Sequence, residues 1–139
     1  MRMRSLILGV AVLMLAAFSN APAEEKTDRA VAAAEAWVGL VDAEDYAKSW
    51  QEAAPVFRKS LSEKGWVQMV AAVRGPLGAV KSRERIGAQY AASLPNAPAG
   101  EYVVIQFRTD FANRAGVIET ITPMKDAEGA WRVSGYFLK

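Results

Sequence analysis

Tyr102-Val103-Val104-Ile105-Gln106-Phe107-Arg108-Thr109-Asp110-Phe111 is the stretch that decides the fold. Val103, Ile105 and Phe107 alternate with Gln106 and Arg108, and Phe111 falls on the apolar side. A period of two is that of a strand with one face buried. Working outward, Asn113-Arg114-Ala115-Gly116 predicts a short turn into a strand over Val117–Thr122. Lys125-Asp126-Ala127-Glu128-Gly129 predicts another into Trp131–Leu138. Two hairpins in succession make an antiparallel meander. On the other side, Pro95–Gly100 is a turn-rich connection. Before it, Val80, Ile86, Ala88 and Tyr90 alternate with Lys81, Arg83, Arg85 and Gln89, which predicts a first amphipathic strand.

Upstream of Gly78 the period changes. Ala30, Ala34, Trp37 and Val41 share one face of a helix that Thr27 or Asp28 can cap. Asp42 is placed to cap a second helix, with Tyr46 and Trp50 on one face and Pro55 as its stop. Ser60 and Glu63 fit a capping box for a third, starting at Ser60 or Ser62. Trp66, Met69, Val70 and Val73 form its stripe and Gly75-Pro76 its end. Three helices followed by four strands predict an α+β domain, its helices packed on one face of a curved antiparallel sheet. Such a sheet can close around its helices as a cone with one open end.

The N-terminus reads as an address. Arg2 and Arg4 precede an uncharged apolar run, Leu6–Phe18, and Ala21-Pro22-Ala23 is an A-x-A cleavage site. The run falls short of the roughly 20 residues that cross a bilayer. Residues 1–23 are therefore expected to be a cleaved signal peptide, and 24–139 one periplasmic or secreted domain. An uncleaved anchor is the alternative, and a lipoprotein is excluded by the lack of cysteine. The chain has 17 Lys and Arg against 15 Asp and Glu. Arg2 and Arg4 leave with the signal and no acid does, so the remainder carries no net charge. Nothing in that balance supports a nucleic-acid or anionic-membrane partner. With neither His nor Cys in the sequence, disulfides are impossible and a zinc or copper site or a Ser–His or Cys–His nucleophile is not expected. No metal or cofactor is expected.

An ordered set of residues resembles the DUF4019 family. In the first half it comprises Ala36-Trp37, Leu40, Asp42, Tyr46, Ser49-Trp50, Trp66 and Arg74-Gly75-Pro76-Leu77-Gly78, with Arg83 following. The second half is sharper. It includes Leu94-Pro95, Pro98, Gly100-Glu101-Tyr102, Gln106-Phe107, Phe111, Glu119-Thr120, Gly129, Trp131-Arg132-Val133 and Gly135-Tyr136. The resemblance implies an NTF2-like or cystatin-like cone fold, mostly exported from bacteria, and carries no assigned activity or catalytic residues.

Glu119 is the residue that stands out. It lies between Val117 and Ile121 at period two, which places an acid among inward-facing residues. A buried carboxylate must be paired or neutral. Arg83 and Arg85, two apart on one strand, share a face and are its candidate partners. One reading makes Glu119 a pocket acid; the other makes it half of a Glu–Arg pair that fixes strand register, or a solvent-facing residue at an edge. Tyr102, Tyr136 and Trp37 complete a candidate pocket for a small apolar or planar ligand, with core packing as the competing role. Lys81–Arg85 is expected to be a solvated face.

The expected function is non-enzymatic: binding of a small ligand in the cone, or an accessory role towards an envelope protein. A ketosteroid-isomerase-like enzyme, with Glu119 as base and a tyrosine as oxyanion donor, is one alternative. A structural homodimer formed through an edge strand, Val80–Tyr90 or Trp131–Leu138, is another.

Overall fold

The structure is a computed structural model and describes residues 21–139. The basic and apolar parts of the expected signal, residues 1–20, lie outside the described residues. Among the described residues four helices precede four strands: α1 Ala21–Asp42, α2 Tyr46–Glu52, α3 Pro55–Ser60 and α4 Glu63–Leu77, then β1 Val80–Ala91, β2 Tyr102–Phe111, β3 Arg114–Lys125 and β4 Trp131–Leu138. The strands form one open antiparallel sheet in the order β1-β2-β3-β4. The expected α+β arrangement of helices against such a sheet is what forms.

The helical half differs from expectation at several boundaries. Thr27 and Asp28 lie inside α1, which already starts at Ala21. Pro55 does not only stop α2; it opens α3, where a proline suits the first turn because its missing N–H would have had no partner. Asp42 ends α1 rather than capping α2. At the start of α4, Ser62 is the cap and accepts from the Gly65 N–H at 3.0 Å. Ser60 instead donates to the Val56 carbonyl at 2.8 Å. Gly75 and Pro76 fall within α4, whose end is Gly78 at φ +78°.

α1 lies across the sheet. Ala30 and Ala34 are fully buried and small enough for the helix backbone to approach the strands closely. Trp37, Val38 and Val41 then meet Val103, Ile105, Phe107, Ile121 and Val133 in one core with Phe57, Trp66 and Val70. The Trp37 ring sits 5.4 Å from that of Tyr136, 5.9 Å from Trp66 and 6.2 Å from Phe57. Buried Ser49 satisfies both inner indoles: its carbonyl accepts from Trp37 Nε1 at 2.8 Å and its hydroxyl from Trp66 Nε1 at 2.9 Å. Sequence periodicity gave Ser49 no role beyond its place in the family pattern.

Two irregularities in β1 change which residues face inward. The register slips between Val80 and Ser82 and again between Arg85 and Gly87. The second slip adds a residue, so Ile86 leaves the core face and is exposed, while Ala88 and Tyr90 still oppose Ile105 and Val103.

Candidate functional site

Beneath the apolar core lies a polar cluster built from six elements. Glu119 on β3 is fully buried. Its register partner on β2 is Phe107, and its neighbour across the sheet is Thr109, which donates to Glu119 Oε1. Arg83 Nε donates to the same oxygen at 2.8 Å. The Tyr136 hydroxyl, from β4, donates to Oε2. Arg83 then spans to the end of α1, where Nη1 and Nη2 hold Asp42 at 2.6 and 3.0 Å. Arg74, reaching in from α4, donates to Asp42 Oδ1 at 2.7 Å and to the Tyr136 oxygen at 3.3 Å. Two guanidiniums and two carboxyl groups thus meet with balanced charge.

The electrostatics follow from the contacts. Burial by itself would raise the Asp42 carboxyl, but hydrogen bonds from Arg83 and Arg74 outweigh it and hold the group below its ordinary range. Burial and the facing Glu119 push the Tyr136 phenol far up. Burial works against the Arg83 charge, yet the two acids it touches raise its pKa further. Arg74 Nε is buried without a hydrogen-bond partner among the described residues, and its guanidinium lies 4.9 Å from the centre of the Phe111 ring. That face supplies cation–π attraction where a hydrogen bond is missing.

Of the residues singled out from sequence, Glu119, Arg83 and Tyr136 are brought together. Arg83, expected on a solvated face, is instead turned inward. Arg85 sits opposite Phe107 in the register but is exposed, and has no ion-pair partner among the described residues. Trp37 is a core residue. Tyr102 is buried away from the cluster, its hydroxyl donating to the Pro98 carbonyl at 2.6 Å. Asp42 and Arg74 belong to the cluster, and their part in it was not foreseen.

Two openings flank these residues. A cavity of about 280 Å³ at the ends of α1 and α4 is lined by Asp42, Glu44, Tyr46, Arg74 and Gly78. Glu44 there adopts φ +61°. A second cavity, about 240 Å³, opens between α4 and β4 and is apolar: Trp66, Met69, Val70, Val73, Tyr136, Phe137 and Leu138 line it. Met69, Val73 and Phe137 are 45, 43 and 67% exposed. The stripe predicted for α4 is therefore split, with Trp66 and Val70 in the core and Met69 and Val73 in this groove.

Away from the cluster, Glu101 ties α1 to the sheet. It takes Lys26 and the Tyr90 hydroxyl, each at 2.7 Å, and these bonds pull its pKa down to about 2. Among the described residues no group of three or more acidic side chains is placed to hold a metal ion, and no helix is long and apolar enough to cross a membrane.

No curated protein and no solved structure shows significant similarity to the chain. Residues 33–136 match the family model DUF4019, described as a protein of unknown function, and they carry every member of the polar cluster; the chain belongs to the DUF4019 family.

Proposed function

We propose that the chain is an exported, non-catalytic accessory domain that works by holding another envelope protein along α4 and β4, with the polar cluster as its scaffold. The observation that carries this reading is the state of Glu119. It is fully buried, accepts from Arg83, Thr109 and Tyr136, and lines neither cavity described above. A general base has to come within hydrogen-bond reach of a substrate proton. The tyrosine hydroxyl that an isomerase would aim at substrate is spent on Glu119 itself. Export is supported by the basic, apolar and A-x-A segments of residues 1–23. The choice of surface is supported by three exposed hydrophobics gathered around one opening, an arrangement that folding alone does not require.

Site-specific photocrosslinking in intact envelopes tests the reading. A crosslinker at Met69 is expected to give one discrete, saturable adduct, and one at Glu84 on β1 none. Equal adducts from both positions, or none from Met69, would overturn it. N-terminal sequencing of the exported protein is expected to begin at Glu24.

A further inference from the structure

The two edges of the sheet are protected very differently. β1 carries Lys81, Arg83, Glu84 and Arg85 and is broken by two register slips, devices that discourage strand addition. β4 carries one charge, Arg132, held by Asp126 at 3.0 Å. The first half of its edge is closed, since the Ala54 N–H donates to the Val133 carbonyl at 2.8 Å. The second half has no such cover among the described residues. Lys139 and Ile118 exchange both backbone bonds, at 2.9 and 3.0 Å. Alternation from that pair leaves the N–H and C=O of Tyr136 and Leu138 pointing away from β3.

This open half-edge forms one wall of the apolar groove whose other wall is α4. The groove continues past Val73 and Leu138 into a space of about 420 Å³ lined by Pro76, Leu77, Val117, Arg114 and Lys139. Arg114 and Lys139 are exposed, and neither has an ion-pair partner among the described residues. An apolar channel beside free backbone groups, with two unpaired cations at one end, has a specific complement.

We propose that β4 and α4 capture an extended apolar peptide segment of a partner protein, added antiparallel to Ser134–Leu138, with an acidic residue at its N-terminal end beside Arg114 and Lys139. Backbone bonds to Tyr136 and Leu138 give the segment its direction, and alternate side chains enter the groove against Met69, Val73 and Phe137. The two cations supply the end preference. This rests on the reading of the chain as a protein-binding module and adds to it the chemistry of what is bound.

Fluorescence anisotropy with the purified protein tests the proposal. The probes are a labelled short peptide of alternating valine and threonine with two N-terminal glutamates, and the same peptide with two lysines. The glutamate peptide is expected to bind about ten-fold more tightly or better. Arg114→Glu combined with Lys139→Glu is expected to invert that preference, a result that loss of fold cannot produce. Phe137→Ser, at an exposed position, is expected to weaken both peptides while leaving the melting temperature in place. Absence of glutamate-peptide binding, or equal binding of the two peptides, overturns the proposal. So does concentration-dependent dimerisation that Phe137→Ser abolishes, which gives the groove to a second copy. If Met69 crosslinks in the envelope while the peptide does not bind, the module reading stands and the peptide chemistry falls.

Discussion

The polar cluster and the α4–β4 groove are opposites built around one residue. The Tyr136 ring packs on Trp37 and lines the groove, and its hydroxyl closes the cluster on Glu119. On one side charged groups are inside; on the other, hydrophobic groups are outside. Each inverts the usual rule that apolar side chains are buried and charges solvated. The cluster resolves its inversion internally, because every carboxyl group meets a guanidinium and Glu119 accepts three hydrogen bonds. In the groove, no part of the described residues covers Met69, Val73 and Phe137, and on the proposed reading another molecule does. Damage to the cluster should therefore register in stability, and damage to the groove in binding.

The largest expected effect comes from breaking the cluster. Glu119→Ala strips the Arg83 Nε of its partner and leaves two guanidiniums to share Asp42 alone, which should cost about 3–5 kcal/mol in urea unfolding. Phe107→Ala, beside it in the core, should cost a similar ~3–5 kcal/mol. A loss under about 1 kcal/mol for Glu119→Ala, the scale of an exposed pair, would mean that the cluster is solvated and not a scaffold.

Ser49→Ala comes next. It leaves the buried Trp66 Nε1 without its acceptor, which should cost about 1–3 kcal/mol, with a change in tryptophan emission on which an unaffected indole environment would tell against the assignment.

Part of this architecture was legible in the sequence. Period two in Tyr102–Phe111 placed β2, and the same rule turned Glu119 inward; Arg83 and Arg85 were its candidate partners, of which only Arg83 reaches it. What escaped has physical causes. Pro55 signals a helix boundary but not on which side the helix lies, so α3 went unseen. The added residue at Ile86 leaves no mark in composition, and it reverses the phase of half of β1. Asp42 and Arg74 join the cluster through contacts spanning 32 and 41 residues of chain, and such closure is a property of the packed helices, not of any local pattern. Met69 and Val73 match Trp66 and Val70 in spacing; only the position of β4 beside α4 separates groove from core.

Acid should weaken the fold in a defined window. Asp42 and Glu101 both sit below their unfolded values of 3.8 and 4.5, so the unfolded chain takes up protons first as the pH falls. The stability they add is complete above pH 4.5 and declines as pH falls towards about 2, the value at which Glu101 is held. Asp42→Asn should lower the urea midpoint at pH 6, with the difference from the parent shrinking below pH 3.8. A difference that stays constant across the range would show that the carboxyl charge contributes nothing. Smallest of all, Phe137→Ser should change stability by no more than about 0.5 kcal/mol, while it is expected to weaken peptide binding.

Crosslinking from Met69 in a Glu119→Gln background, at a temperature where circular dichroism shows the variant folded, tests the division of labour most directly. The account predicts the parent's adduct at the parent's yield, because the cluster only supports the surface that does the binding. Loss of the adduct from a folded Glu119→Gln protein would contradict it and make the buried carboxylate part of the working site.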